Sequence, residues 1–259
     1  MNVLSIARLL ALSLALLLPP AAAAPDVPAL AAASDLKFAL DEAARNFREE
    51  TGMVVRPVYG SSGNFMQQIQ QGAPFELFMS ADESFVFELA RRGLTVDDGV
   101  LYAIGRIVLF APSASPLQVA DGLEGVLLAQ ADGRLRKFAI ANPDHAPYGR
   151  AARAALKRAG IWEALQPHLV LGENVSQAAQ FTASGSVQAG IFALSLAIAP
   201  AIARTGHYVI LPEDSAEPLR QRMVLTRRAG KTARAFYAWL AGAEGRAVLK
   251  RYGFGLPPG

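Results

Sequence analysis

The stretch VPALAAASDL, residues 27–36, decides the fold because it joins an apolar strand directly to small polar residues that open a helix. The same order of apolar strand, polar turn and helix recurs after residues 53–59, 75–80 and 138–141. A helix start carries backbone N–H groups without intrahelical partners and the positive end of the helix dipole, and both favour a bound anion. Several such starts on one scaffold predict that they converge on a single anionic ligand.

Strands and helices alternate through the first part of the chain, which predicts an α/β fold with mainly parallel sheets. Apolar residues recur at helical spacing over residues 36–51, and residues 102–111 form one long strand-like run. We divide the chain into two lobes joined by a hinge, with residues 24–104 and 206–259 in lobe 1 and residues 105–205 in lobe 2. Ligands of such folds bind at the carboxyl ends of strands or between lobes.

The N-terminal residues 1–23 have the features of a secretory signal peptide. Arg8 precedes the apolar run at residues 9–18, and an alanine-rich cleavage site follows. That run is shorter than the roughly 20 residues that span a bilayer. The sequence contains no cysteine, so it offers neither a disulfide nor a lipid-modified N-terminal cysteine. We predict a periplasmic protein without a lipid anchor that begins at or near Ala24.

The charge of the chain is nearly balanced. The formal net charge is +3, and removal of residues 1–23 leaves 24 basic and 22 acidic residues. The basic residues are scattered rather than clustered, which argues against a nucleic-acid partner. We expect a monomer.

Three short motifs raise the alternative of a serine penicillin-binding-type enzyme. Ser34 and Lys37 match S-x-x-K, the segment at Ser62 resembles S-x-N, and the segment at Lys231 resembles K-T-G. The context argues against this enzyme, because Lys231 lies at a predicted helix start and the glycine of the third motif is missing. We therefore predict no catalytic residue and no cofactor, and keep a Ser34 nucleophile with Lys37 as an unfavoured alternative.

The polar turns carry neutral hydrogen-bond donors, and they contain no arginine and no lysine except Lys37. A buried oxyanion can be held by hydroxyl groups, backbone N–H groups and helix dipoles alone. The hydroxyl groups in these turns belong to Ser34, Ser61, Ser62, Ser80 and Tyr148. Three acids lie nearby, and we interpret each as a helix cap: Asp35, Asp82 and Asp144.

Four segments in order along the chain resemble one protein family. They are AAAS at residues 31–34, GSSG at 60–63, GAPFELFMSAD at 72–82 and NPDHAPYGRAA at 142–152. Together they resemble the periplasmic molybdate-binding proteins of ABC transporters, and the third segment is rather specific. The segment ENV at residues 173–175, followed by GI at 190–191, also fits. The resemblance implies a two-lobed periplasmic binding protein fold, type II-like, that holds an oxyanion between its lobes through neutral hydrogen bonds.

The resemblance also implies a set of ligand contacts, carried over motif by motif. They are the Ser34, Ser62 and Tyr148 hydroxyl groups and the backbone N–H groups of Ala81 and Val175. Some members of the family carry a tyrosine hydroxyl where this chain has Ala193. We therefore expect Tyr148 to supply the hydroxyl of the second lobe and give Ala193 no role.

The function that the resemblance implies is high-affinity binding of molybdate, and of tungstate, which has nearly the same size. The partners implied are an inner-membrane ABC permease and its ATPase, to which the ion is delivered. A solute-binding protein for sulfate, thiosulfate or phosphate would share the fold and stays open as the alternative.

Overall fold

The computed structural model describes residues 27–257. The predicted signal peptide at residues 1–23 lies outside the described residues. Within the described part, no helix has the length and apolar character needed to cross a membrane.

Residues 27–257 form ten strands in two five-stranded sheets. In chain order the strands are β1 (Ala29–Ala33), β2 (Arg56–Gly60), β3 (Phe75–Ser80), β4 (Val100–Gly105), β5 (Ile107–Pro112), β6 (Phe138–Ala141), β7 (Leu169–Gly172), β8 (Ala189–Ala193), β9 (Gly206–Ile210) and β10 (Leu219–Leu225).

The same residues form eleven α-helices, several of them a single turn. In chain order they are α1 (Lys37–Thr51), α2 (Ser62–Gln70), α3 (Glu83–Arg91), α4 (Gly122–Ala131), α5 (Pro147–Arg158), α6 (Trp162–Leu165), α7 (Val175–Ala183), α8 (Leu194–Ala197), α9 (Pro200–Ala203), α10 (Lys231–Ala241) and α11 (Ala243–Arg251).

Both sheets are mixed rather than mainly parallel. In the first sheet, ordered β2-β1-β3-β10-β4, β1 runs parallel to β2 and β3, whereas β10 runs antiparallel to β3 and β4. In the second sheet, ordered β7-β6-β8-β5-β9, β6 runs parallel to its two neighbours and β5 antiparallel to its two. Helical crossovers produce the parallel pairs. The antiparallel pairs involve the strands through which the chain passes between the sheets.

The chain crosses between the sheets at Arg106, which separates β4 from β5, and again through residues 211–218, between β9 and β10. The single strand-like run predicted over residues 102–111 is therefore two strands in different sheets. Strand β9 follows the predicted lobe boundary at residue 205, yet it pairs with β5 in the second sheet. The chain thus returns to the first sheet after residue 210.

The first sheet is covered on both faces. Along β1, Leu30 and Ala32 pack with Phe236 and Leu249 of the C-terminal helices. Ala31, which points the other way, packs with the apolar side chains of α2 and α3. Because both faces are buried, β1 is apolar throughout rather than alternating. Its carboxyl end, like those of β2, β3, β6 and β7, leads into the cleft between the lobes.

Candidate functional site

A small cavity lies in the cleft where helix starts of both lobes meet. Its volume is about 10 Å³, far below the roughly 300–1,000 Å³ of pockets for drug-sized ligands. It is therefore sized for a small ion or molecule. Its lining consists of Ala33, Ser34, Asp35, Gly60, Ser61, Ser62, Ala81, Ala146, Pro147, Tyr148 and Val175.

The first lobe contributes buried donors at the ends of β1, β2 and β3. Ser34 begins a short 3-10 segment that leads into α1, and Ser62 is the first residue of α2. The Ser62 hydroxyl oxygen accepts a hydrogen bond from the Ala81 N–H at 3.0 Å. A hydroxyl both accepts and donates, so the hydrogen of Ser62 is left for a further acceptor.

The second lobe contributes the first turns of α5 and α7. Tyr148 is the second residue of α5, after Pro147, and Val175 is the first residue of α7. Backbone N–H groups at these positions have no partner within the helix. Asn174 caps α7 by accepting from the Gln177 N–H at 3.1 Å, which fixes the direction of that helix start.

Direct hydrogen bonds join the two lobes around the cavity. Ser34 Oγ donates to Asn174 Oδ1 at 3.0 Å and accepts from the Ser176 N–H at 3.2 Å. Ser61 Oγ donates to the His145 carbonyl at 2.6 Å. The Gly63 N–H donates to the same carbonyl at 3.0 Å.

Gly63 permits this close approach of the lobes. A Cβ at position 63 would lie 2.6 Å from the His145 carbonyl oxygen. Farther out, the Arg150 guanidinium of the second lobe forms an ion pair with Asp82 of the first and lies over the Phe85 ring. The lobes are therefore in contact both at the cavity and at its rim.

All five residues predicted as ligand contacts line this cavity. Ser80 does not line it, because its hydroxyl donates to the Asp82 carbonyl instead. Ala193 is buried at the end of β8 and does not line the cavity either. The lining contains neither lysine nor arginine, so any anion bound there depends on neutral donors and helix dipoles.

Sequence reasoning missed the role of Asp35, which it interpreted as a helix cap. Asp35 lines the cavity and is 1% exposed. Its Oδ2 accepts hydrogen bonds from the Tyr148 hydroxyl at 2.9 Å and from Gln221 Nε2 at 2.6 Å. Oδ1 is buried without a hydrogen-bond partner in the described part of the chain. No local signal identifies this role, since Gln221 lies 186 residues farther along the chain.

The other two predicted caps differ from each other. Asp82 does cap α3, since its side chain accepts from the Ser84 N–H at 2.8 Å. Helix α5 has Ala146 at its N-cap position and no side-chain cap, so Asp144 is not its cap. Helix α5 instead begins with Pro147. Proline is favoured at the first helical position because the N–H it lacks would have no partner within the helix.

The Tyr148 hydroxyl is held in a group of buried polar side chains of the first lobe. Besides donating to Asp35, its oxygen accepts from Gln221 Nε2 at 3.0 Å. The Tyr102 hydroxyl donates to Gln221 Oε1 at 2.7 Å. A phenol has one hydrogen, so the predicted bond from this hydroxyl to a ligand competes with its bond to Asp35.

Burial has strong effects on the ionisation of these groups. It raises the pKa of Asp35 to about 6, against the opposing effect of the hydrogen bonds from Gln221 and Tyr148. Burial, together with the nearby Asp35 carboxylate, holds the pKa of Tyr148 well above its usual value. Tyr148 is therefore a neutral hydrogen-bonding group at physiological pH.

The lysines of the enzyme motifs lie elsewhere. Lys37 Nζ forms an ion pair with Asp41 at 3.2 Å and lies over the Tyr59 ring. Lys231 is the first residue of α10. The Ser34 hydroxyl is hydrogen-bonded to Asn174 rather than to a lysine, which is not the arrangement of an activated nucleophile.

Comparison with known proteins gives consistent matches over nearly the whole chain. Residues 29–255 match the protein family described as bacterial extracellular solute-binding protein. The molybdate-binding protein ModA of Rhodobacter capsulatus is 38% identical over 251 residues, 96% of this chain and 94% of that protein. ModA of Azotobacter vinelandii is 37% identical over 97% of this chain and 98% of that protein.

A solved structure agrees with the fold. The periplasmic molybdate-binding protein of Azotobacter vinelandii superimposes with a TM-score of 0.81 at 31% identity. The match covers 89% of this chain and all of that one. The expected two-lobed binding protein fold is therefore confirmed.

Proposed function

We propose that this chain, which belongs to the family of bacterial extracellular solute-binding proteins and within it to the ModA proteins, binds molybdate between its two lobes. The observation that carries the proposal is the small buried cavity at which helix starts of both lobes converge without a basic side chain. Such a cavity offers hydrogen-bond donors and favourable dipoles to an anion of low basicity. Its relatives described as molybdate-binding proteins support the same ligand.

The proposed ligand contacts are the residues that line this cavity at helix starts. From the first lobe, Ser62 offers its hydroxyl hydrogen. The Ser34 hydroxyl and the Ala81 N–H line the cavity beside it, and each must exchange its present bond, to Asn174 and to Ser62 respectively, for one to the ion. From the second lobe, Val175 offers its backbone N–H. Tyr148 forms the facing wall and offers the N–H of the first turn of α5.

Binding is coupled to closure of the lobes in this proposal. The ion first contacts one lobe, and rotation about the two crossings, Arg106 and residues 211–218, brings the other lobe onto it. The bonds from Ser61 and from the Gly63 N–H to the His145 carbonyl then form across the cleft. Closure excludes water from the ion, which strengthens the hydrogen bonds to it.

Size and charge would decide which ion binds. The molybdate and tungstate ions are larger than sulfate and phosphate. Like sulfate they accept hydrogen bonds without donating them, whereas protonated phosphate also donates. A cavity with fixed donors around the larger ion contacts the smaller ones less well. We propose tungstate as the second ligand and sulfate, thiosulfate and phosphate as weak ones.

The partners follow from the same proposal. The protein acts in the periplasm after removal of residues 1–23, as a monomer. The closed form delivers its ion to an inner-membrane ABC permease and the ATPase attached to it. We propose no catalytic activity and no nucleic-acid partner.

Calorimetric titration of the mature protein tests the ligand. We expect one molybdate per chain and similar binding of tungstate, with sulfate, thiosulfate and phosphate at least 100-fold weaker, which is about 2.7 kcal/mol. Tighter binding of one of those three ions would identify the alternative family function. No binding of any of the five ions would overturn the proposal.

A further inference from the structure

We propose that Asp35, Gly105 and Gln221 are positioning residues that receive the Tyr148 hydroxyl when the lobes close. Together with Tyr102 they form a buried recess of the first lobe, here called the hydroxyl socket. The socket couples occupation of the cavity to closure, so the inference rests on the proposed binding function.

The socket is polar and fully enclosed. Asp35 Oδ2 and Gln221 Nε2 lie 2.9 and 3.0 Å from the Tyr148 hydroxyl oxygen. Gln221 is itself held by the Tyr102 hydroxyl at 2.7 Å and by its bond to Asp35 at 2.6 Å. Every polar atom of the Gln221 side chain is thus used to hold the socket together.

The socket belongs to one lobe and its occupant to the other. Tyr102 is on β4 and Gln221 on β10, the strands of the first sheet next to the two crossings. Asp35 is in the 3-10 segment that follows β1. Tyr148 is on α5 of the second lobe, so rotation of the lobes about the crossings withdraws its hydroxyl from the socket.

Gly105 supplies the space for the hydroxyl. It is the last residue of β4, and a Cβ added there would lie 2.3 Å from the Tyr148 oxygen. Such a contact is too short for any side chain, so alanine at this position would push the hydroxyl out. The same Cβ would meet Gln221 Nε2 at 2.9 Å, the end of a side chain that can move.

The free energy needed to open the lobes depends on the hydroxyl socket. Withdrawal of Tyr148 leaves a buried carboxylate with one donor fewer, and a hydrogen bond to a charged group is among the stronger ones. The tyrosine that lines the ion cavity is the one that fills the socket. The socket therefore stabilises the arrangement in which the ion is enclosed and slows its release.

A double-mutant cycle of Gly105→Ala and Tyr148→Phe tests the socket. The readouts are molybdate affinity by calorimetry and the dissociation rate by stopped flow. We expect Gly105→Ala alone to weaken affinity about 10- to 150-fold, mainly through faster dissociation. In the Tyr148→Phe background, where the oxygen is missing, the same alanine should change affinity less than about threefold. Gly242→Ala, a glycine between α10 and α11 whose added Cβ has 3.2 Å to its nearest neighbour, is the matched control.

Equal effects of Gly105→Ala in both backgrounds would overturn the socket, although molybdate binding by the wild type would still stand. No binding by the wild type would overturn the proposed function and the socket with it. If Gly105→Ala fails to fold alone, recovery of folding on adding Tyr148→Phe supports the contact between them. Failure of both chains to fold would overturn the assignment of Gly105.

Discussion

The Tyr148 hydroxyl of the second lobe lies 2.9 Å from Asp35 Oδ2 of the first, in a hydrogen bond buried from solvent. Both residues also line the cavity that we propose as the oxyanion site. A carboxylate beside an anion site repels the bound anion unless hydrogen-bond donors to the carboxylate offset its charge. Here the Tyr148 hydroxyl and Gln221 Nε2 both donate to one carboxylate oxygen, and the first prediction below follows from this arrangement.

The stability of the protein should depend on pH through Asp35. The pKa of Asp35 is raised to about 6 in the folded chain, above its ordinary value near 4. Between these values the folded state binds more protons than the unfolded state, so this group makes the protein less stable as pH rises from about 4 to about 6. The free energy of unfolding of Asp35→Asn should therefore rise relative to that of the wild type by up to about 3 kcal/mol as the pH increases across that range.

Urea unfolding of both chains at pH 4.5 and pH 7.5 measures this difference. Asp98→Asn, a change of an exposed acid, is the matched control. A difference between the wild type and Asp35→Asn that is the same at the two pH values would show that Asp35 does not titrate in this range.

The Ser62 hydroxyl should contribute directly to anion affinity. Ser62→Ala removes the hydrogen that is left free when Ser62 Oγ accepts from Ala81. A hydrogen bond to a charged group is worth roughly 1.5–3 kcal/mol, so molybdate affinity should fall about 10- to 150-fold. Ser115→Ala removes a bond to the Gln188 carbonyl away from the cavity and should leave affinity unchanged. Unchanged affinity in Ser62→Ala would remove Ser62 from the site.

The backbone donor of Val175 can be deleted without breaking its helix. Val175 is the first residue of α7, a position at which proline is favoured because its missing N–H has no intrahelical role. The preceding Asn174 is extended, with φ −154° and ψ 172°, as a residue before proline must be. Val175→Pro should keep the fold and lower molybdate affinity about 10- to 150-fold.

Lys231→Pro is the matched control for this change. Lys231 is likewise the first residue of its helix, after an extended Gly230, and it lies outside the cavity. Circular dichroism should show both proline variants folded. A folded Val175→Pro chain that binds molybdate as the wild type does would exclude this N–H as a ligand donor.

Processing of the N-terminus is a separate prediction from the sequence. Removal of residues 1–23 should leave a chain that begins at or near Ala24. Intact-mass analysis of protein recovered from the periplasm measures the start directly. Recovery there of a chain that still carries Met1 would contradict cleavage of the signal peptide, and absence of the protein from the periplasm would contradict the proposed localisation.

The sequence predicts much of the first lobe because its signals are local. The strand at residues 75–80 and the helix that ends at Thr51 are indicated by the periodicity of their apolar residues and by nearby glycines. The convergence of Ser34 and Ser62 on one cavity follows from parallel strands whose carboxyl ends meet. These features need no information about distant parts of the chain.

The rest depends on contacts between distant residues. Residues 102–111 are continuous in hydrophobicity, and nothing local marks Arg106 as the point where the chain leaves one sheet for the other. Asp35 has the sequence context of a helix cap, and its partners Tyr148 and Gln221 lie 113 and 186 residues away. Its role becomes visible only when both lobes and strand β10 are in place.

The measurement that tests the central claim most directly is a crystal structure grown with molybdate, with anomalous scattering recorded at the molybdenum edge. We predict one strong anomalous peak per chain in the cavity, with oxygens of the ion within hydrogen-bonding distance of Ser62 Oγ and the Val175 N–H. A molybdenum peak outside this cavity would contradict the site. A cavity that takes up sulfate in preference to molybdate when both are present would contradict the function.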